Sequence, residues 1–249
     1  MAPYRRLSRV GTADMDETGN RGPRTAAARP ATTQADIDIA LGDVRLKGML
    51  GRPPSPTGLV VFAHGSGSSR LSTRNQFVAA SLQREGIATL LFDLLTAAEE
   101  ASERETRHLR FDIGLLADRL LGVTRWLTHV PSLAPLPIGY FGASTGAAAA
   151  LVAAARTRVG AVVSRGGRPD LAGASLPLVH APTLLIVGGD DTEVIALNRH
   201  ALALMTCEHA LSIVPGASHL FEEPGTLQLA TQLAGAWFRR HLGGTRSAP

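Results

Sequence analysis

Between residues 59 and 214 of this 249-residue chain, six short runs are almost wholly apolar, and segments of helical periodicity separate them. Strands that lack polar alternation are buried on both faces, which is typical of parallel sheets covered by helices. We therefore predict an α/β fold with a mostly parallel central sheet and helices on both faces. The predicted strands are 59–63, 87–92, 138–141, 161–163, 183–187 and 211–214, and the predicted helices lie near 75–83, 113–127, 146–155, 194–205 and 227–241.

The segments on either side of this pattern differ from it. Residues 36–41 and 44–50 alternate apolar and polar around Gly42-Asp43, which predicts an antiparallel hairpin at an edge of the sheet. Residues 1–34 are rich in Arg, Thr, Ala, Gly and Pro without hydrophobic periodicity, and we predict a disordered N-terminal tail there. We expect one domain over residues 35–242 and a flexible C-terminal tail over 243–249.

Charge and composition argue against several classes of protein. The net charge is +4, but residues 1–30 hold six Arg against three acids, so the rest of the chain is close to neutral. Aromatic residues make up only 4%, which leaves little material for stacking bases, and we expect no nucleic-acid partner. No apolar run reaches the roughly 18 residues of a membrane span, and no apolar segment of a signal peptide follows Arg5-Arg6. The single cysteine, Cys207, fits a reducing compartment, so we expect a cytoplasmic protein.

The turn around Ser144 is the first candidate site. An apolar strand runs directly into Gly142-Ala143-Ser144-Thr145-Gly146, and a helix of small residues follows. Glycine at both ends of this motif lets the chain turn sharply and lets strand and helix approach closely. A serine at the apex of such a turn exposes its hydroxyl, as a nucleophile must.

Four strand ends carry residues of catalytic type, and ligands of open parallel sheets gather at the carboxyl ends of strands. Ser144 is followed by Asp190-Asp191 and then by His219, the order expected of a catalytic triad on this architecture. A serine hydroxyl needs an imidazole to accept its proton, and we assign that role to His219. Asp190 or Asp191 would orient the ring, with Asp170 a more distant candidate. His64 is a rival base, although anchoring of its own loop fits its position better.

An oxyanion needs preorganised N–H donors. The residue after the nucleophile, Thr145, should supply one donor, and Ser66 in the loop after the first parallel strand should supply the other. Next to them, His64 and Gly65 are candidates for substrate binding. Arg165 is another candidate, because it comes after a strand and could attract a substrate carboxylate, as could Arg168. A structural salt bridge is an equally good interpretation of both arginines.

Other residues point to no further chemistry. Cys207 has neither a sharp turn nor a basic neighbour in the sequence, so we expect it to be inert. No His/Cys cluster has the spacing of metal ligands, so we expect no metal and no other cofactor. The glycines around Gly65 and Gly67 lack the Lys and Ser/Thr of a phosphate-binding loop.

Taken together, these segments resemble the α/β-hydrolases of the dienelactone-hydrolase-like group, over residues 35–242. The resemblance is carried by the motifs around His64-Gly65-Ser66, Ser144 and Asp190-Asp191, by 163–170 and by 216–221. It implies an α/β-hydrolase fold, and it favours Asp191 as the triad acid because in relatives the acid follows Gly-x-x. The enzymes that name the group have cysteine as nucleophile, whereas this chain has Ser144. Some relatives are fused to phosphoribosyltransferase domains.

We therefore expect a serine hydrolase that cleaves small carboxylic esters or lactones through an acyl-enzyme, with a small-molecule ester as its partner and no membrane partner. Acyl transfer or perhydrolysis would use the same triad, and a binding or regulatory module on the hydrolase fold is a further alternative. Residues 164–182 leave no room for an inserted lid domain. The site should then be open, bordered by 96–110 and 166–178, and should prefer short acyl chains.

Overall fold

A central sheet of eight strands, seen in a computed structural model that describes residues 31–243, runs in the order β1-β2-β4-β3-β5-β6-β7-β8. β1 pairs with β2 and β2 with β4 in antiparallel fashion, and all the other neighbours are parallel. The mostly parallel sheet and the hairpin at its edge agree with the sequence-based prediction. The strands are β1 Thr33–Leu41, β2 Val44–Arg52, β3 Leu59–Ala63, β4 Ala88–Phe92, β5 Ile138–Ala143, β6 Ala161–Arg165, β7 Thr183–Gly188 and β8 His209–Val214.

In the described residues, helices pack on both faces of the sheet, and each face has its own hydrophobic core. Leu82 of α1 and Phe238 of α6 pack on one face, while Leu120 of α3, Leu151 of α4 and Ala201 of α5 pack on the other. Burial of these apolar stripes is what holds helices to a sheet in a layered domain. The helices are α1 Thr73–Arg84, α2 Ala97–Thr106, α3 Ile113–Leu127, α4 Thr145–Arg156, α5 Thr192–Leu204 and α6 Thr226–Leu242.

The segments between these elements stay short. Between β6 and β7 the segment Pro169–Leu178 forms two short 3-10 helices that meet at a kink at Gly173, and no lid domain is inserted in the part of the chain described. α2 begins with a capping box in which the Thr96 hydroxyl accepts from the N–H of Glu99 and the Glu99 carboxylate accepts from the N–H of Thr96. Within the segment 96–110, which we expect to border the site, residues Ala97–Thr106 thus form a helix. The predicted tails at 1–34 and 243–249 fall almost wholly outside the described residues.

β6 is longer than the apolar pattern indicates. Its apolar run ends at Val163, but Ser164 and Arg165 continue the strand and lie opposite Gly142 and Ala143 of β5. Both polar side chains are buried, so tertiary packing overrides the local pattern here. Arg165 therefore belongs to the strand rather than to the loop after it, which brings its backbone beside Ser144.

Candidate active site

Ser144 lies between β5 and α4 in a strained backbone conformation. Its φ of 52° is in the left-handed region, which a residue with a side chain adopts only when its surroundings impose it. The two flanking glycines explain how: a Cβ on Gly142 would lie 2.7 Å from the nitrogen of Ala147, and one on Gly146 would collide with the carbonyl oxygens of Ala63 and His64. Strand, turn and helix thus pack backbone to backbone, and Ser144 is raised at the apex.

The loop after β6 holds this turn in place. The Ser144 N–H donates to the carbonyl of Arg165 at 3.3 Å, and the Ser144 carbonyl accepts from the N–H of Arg168 at 3.1 Å. Asn198 of α5, fully buried, donates to the carbonyl of Gly167 at 3.0 Å and fixes that loop from below. Sequence reasoning missed Asn198. The available signal was a polar residue four positions after Val194, on the apolar face of the predicted helix.

His219 and Asp191 form a close pair. The ring Nδ1 of His219 lies 2.6 Å from the Asp191 carboxylate, and the two side chains are 39% and 14% exposed. A carboxylate can only accept, so Nδ1 carries the proton and the lone pair of Nε2 is left free to act as a base. Asp190 instead lies exposed, with its N–H donating to the carbonyl of Ala217 at 3.0 Å. Asp170 is paired with Arg168 through two hydrogen bonds of 2.9 and 2.8 Å.

Gly166 lets the loop that carries His219 pack closely against the chain next to Ser144. This glycine follows Arg165, the register partner of Ala143, and so neighbours Ser144 across the sheet. A Cβ on Gly166 would lie 2.9 Å from the His219 carbonyl and 3.7 Å from Cε1 of its ring. Within residues 31–243 no hydrogen bond of 3.5 Å or less joins the Ser144 hydroxyl to His219. Catalytic hydrogen bonds are often long without substrate and shorten in the Michaelis complex.

A carboxylate supports the loop that carries His219. Glu223 accepts a hydrogen bond from the N–H of Ser218 at 3.0 Å. Hydrogen bonding by Ser218, from its side chain first and its N–H second, holds the pKa of Glu223 below its ordinary value. Glu223 therefore stays ionised and pins the residue next to His219. Sequence reasoning missed Glu223 too, and no pattern in the sequence marks it.

The two candidate oxyanion donors face each other across the turn. Gly65 to Ser68 form a tight turn, closed by a 3.2 Å bond from the Ser68 N–H to the Gly65 carbonyl, with Gly67 at a φ of 65°. This leaves the N–H of Ser66 outside the turn's own hydrogen bond. Thr145 begins α4, where an N–H has no partner within the helix. A Cβ on Gly65 would lie 2.9 Å from the Ser144 Cβ, so glycine lets the turn approach the nucleophile.

His64 has a structural environment. Its Nε2 accepts from the N–H of Leu94 at 3.0 Å, so its Nδ1 carries the proton and donates to the Gly65 carbonyl at 3.0 Å. Burial lowers the pKa of His64, against smaller opposing effects of the Gly65 hydrogen bond and nearby acids. Both ring nitrogens are occupied by backbone groups, which agrees with the interpretation of His64 as an anchor of its loop.

The buried side chain of Arg165 packs between aromatic and polar side chains at the end of β6. Its guanidinium carbon lies 5.9 Å from the ring centres of both Phe141 and Phe221, and Nη2 donates to Asn75 at 3.4 Å. Burial, with a smaller effect of nearby Arg74, lowers the pKa of Arg165 to about 10. In residues 31–243 no carboxylate lies within 4.0 Å of it, so the alternative of a structural salt bridge is wrong for Arg165. It is right for Arg168, which pairs with Asp170.

A cavity of about 650 Å³ opens beside the oxyanion turn. Gly67 and Ser68 form one wall and α2 another, and the lining is rich in charged groups such as Arg45, Arg70 and Glu100.

Elsewhere, Cys207 is half-buried, and burial raises the pKa of its thiol, as expected of an inert cysteine. The described residues contain no cluster of three or more His, Cys, Asp or Glu that could hold a metal ion. They also contain no helix both long and apolar enough to span a bilayer.

Comparison with known proteins places the chain in a family. Two curated relatives from Mycobacterium tuberculosis strains CDC 1551 and H37Rv, both named "Putative phosphoribosyl transferase", are 56% identical over 225 residues. That alignment covers 90% of this chain and 50% of each relative, so the chain spans about half the length of the curated relatives it matches.

Comparison with solved structures finds similar α/β-hydrolases. The dienelactone hydrolase of Anabaena variabilis is 58% identical, with a TM-score of 0.83, and the match covers 84% of this chain and 98% of that one. A Xanthomonas campestris protein, described as an α/β serine hydrolase without lid, shares the fold at 21% identity and a TM-score of 0.66, over 86% and 96% of the two chains. The model of the dienelactone hydrolase family matches residues 46–237, and the chain belongs to this family of α/β-hydrolases.

Proposed function

We propose that this α/β-hydrolase cleaves small carboxylic esters or lactones through an acyl-enzyme on Ser144. The observation that carries the proposal is the 2.6 Å pair of His219 and Asp191 beside a serine held at a φ of 52°. Family membership supports hydrolysis, and the turn at Ser66 and the start of α4 offer N–H groups for an oxyanion. The curated relatives named "Putative phosphoribosyl transferase" are about twice as long as the aligned segment, so their name does not by itself assign that activity to this chain.

The mechanism follows from the roles of the side chains. Ser144 Oγ attacks the ester carbonyl while His219 Nε2 takes its proton, and Asp191 stabilises the imidazolium that forms. The N–H groups of Ser66 and Thr145 would hold the oxyanion. The alcohol leaves with the proton from His219, and water, deprotonated by the same ring, then releases the acid from Ser144.

Substrate contacts extend the proposal. Arg165, with its buried guanidinium and no carboxylate partner in residues 31–243, is proposed to favour a substrate that carries a carboxylate. Gly65 would border the scissile bond, and His64 would act there only by holding Gly65. We propose a small-molecule ester as partner, no nucleic acid, no membrane, and a cytoplasmic location, which the single Cys207 supports.

Hydrolysis of p-nitrophenyl acetate tests the proposal directly. Ser144→Ala should lower kcat by about 10³- to 10⁶-fold, since disabling a triad nucleophile has this effect. Ser102→Ala, at an exposed serine of α2, is the matched control and should keep the wild-type rate. Wild-type turnover by Ser144→Ala would overturn the assignment of the nucleophile.

The length of the curated relatives favours a second candidate function. Since the chain spans half of them, it corresponds to one part of a larger protein in those cases. A hydrolase-fold unit that only binds or regulates a partner enzyme would have no need of an activated serine. A fluorophosphonate probe separates the two, because stoichiometric labelling at Ser144 supports catalysis, whereas an unlabelled protein supports the binding module.

A further inference from the structure

The hydroxyl groups of Ser66 and Thr145 are joined by a hydrogen bond of 3.0 Å. The proposed oxyanion role of both residues belongs to their backbone N–H groups, and nothing about an oxyanion hole requires hydroxyls at these positions. The bond connects two elements that are 79 residues apart in sequence, the turn after β3 and the first residue of α4. It therefore links the two residues whose N–H groups are the candidate donors.

The two elements differ in how firmly they are held. Thr145 is 2% exposed and begins a helix whose residues 147–151 are fully buried, so its position is fixed by packing. Ser66 stands between Gly65 and Gly67 in a partly exposed turn, and glycine on both sides gives this backbone wide conformational freedom. On one side His64 holds the Gly65 carbonyl; on the other the Ser66 side chain reaches Thr145.

We propose that the Ser66–Thr145 hydroxyl bond is a positioning device that sets the separation of the two oxyanion donors. The inference rests on the proposed function, because it concerns the same acyl-enzyme chemistry. Donors act on an oxyanion only if they are already in place when charge develops, and a misplacement of about 1 Å can lower the rate by about 100-fold. Loss of the bond frees the glycine-flanked turn while leaving both N–H groups present.

A double-mutant cycle on p-nitrophenyl acetate hydrolysis tests this. Ser66→Ala and Thr145→Val each remove one hydroxyl, and Thr145→Val keeps the shape of the side chain. Each should lower kcat by about tenfold with KM within about twofold of wild type, because the oxyanion forms only in the transition state. The double variant should lose no more than either single variant, since both remove the same bond.

Two further variants serve as a rescue and as a control for the double-mutant cycle. Thr145→Ser restores the hydroxyl and should recover most of the kcat lost in Thr145→Val. Thr128→Val, at an exposed threonine after α3, controls for the loss of a threonine hydroxyl and should match wild type. Thermal melts of all variants show whether a loss of kcat merely follows a loss of folded protein, and Ser66→Ala, in a surface turn, carries the test if Thr145→Val does not fold.

The outcomes that overturn the inference are distinct from failure of the proposed function. Wild-type kcat in Thr145→Val, or losses that multiply in the double variant, would show that the bond does not position the donors. A far larger loss in Ser66→Ala than in Thr145→Val would assign the Ser66 hydroxyl itself as an oxyanion donor and also refute the positioning role. If wild type and Ser144→Ala hydrolyse the ester equally, the proposed function itself fails.

Discussion

His64 shows what a buried imidazole does when both nitrogens bind backbone groups. Because burial lowers its pKa, the folded protein resists protonation of His64, whereas the unfolded chain takes up that proton near the ordinary value of 6.5. More protons then bind to the unfolded state in mild acid, so the free energy of unfolding falls as the pH drops below 6.5. The limit is about 1.4 kcal/mol for each pH unit, until the folded-state pKa is reached.

Denaturant unfolding at pH 8 and pH 5 measures this contribution. We expect wild type to lose more stability than His64→Gln between the two pH values, since the variant has no group that titrates at this position. His200→Gln, which removes an exposed histidine of α5, should follow the wild-type curve. Parallel pH profiles of wild type and His64→Gln would contradict the role given to burial.

For single residues, the sequence indicates a chemical role more readily than it indicates which side chains surround the residue in the fold. The motif around Ser144 and the chain order of Asp191 and His219 could be recognised, because their spacing follows the strand ends of the fold. The surroundings of Arg165 could not, since Phe141, Phe221 and Asn75 come from three other parts of the chain and meet only in the folded state. Nor does the sequence show that both ring nitrogens of His64 are hydrogen-bonded to backbone groups, one to Gly65 in its own loop and the other to Leu94.

A glycine-to-alanine substitution is expected to lower the stability of the protein in helix α4 and to raise it in helix α3. Gly146→Ala should lower the melting temperature strongly or prevent folding, because the new Cβ would collide with the Ala63 and His64 carbonyl oxygens, which are backbone atoms and cannot turn aside. Gly114→Ala in α3 is the matched control: its Cβ would lie 3.4 Å from the nearest atom, on Asp112, at an exposed helical position. It should raise stability by up to about 1 kcal/mol.

Thermal melts of the two variants check this contrast. Equal stability of Gly146→Ala and wild type would mean that strand β3 and helix α4 do not pack as closely as described.

The existence of the helices and strands could be predicted because apolar runs of strand length alternate with helical periodicity. Their ends could not, and β6 shows the reason: the burial that keeps Ser164 and Arg165 in the strand comes from α4 and α1, which a local pattern does not contain.

For the whole molecule, the topology leaves the carboxyl edge of the sheet without an inserted domain in the described residues. Without a lid domain there, a long acyl chain at Ser144 should find little apolar wall and gain little of the roughly 0.8 kcal/mol available for each buried CH₂ group. We expect kcat/KM to be highest for acetate or butyrate esters of p-nitrophenol and to fall towards dodecanoate. A rate that rises steadily with chain length would contradict an open site with little apolar wall.

The sheet order also indicates which of the proposed catalytic residues follows the least buried of the parallel strands. Apart from the half-buried Ile138, every residue of strands β3 to β7 is buried, but β8 is the last strand of the described sheet, borders only β7 there, and has most of its residues partly or fully exposed. His219 follows this strand, whereas Ser144 follows β5 in the middle of the sheet. Local unfolding that starts at this edge of the sheet would therefore displace His219, the proposed proton acceptor, while Ser144 stays in place, so the proposed activity would be lost from a molecule that is otherwise still folded.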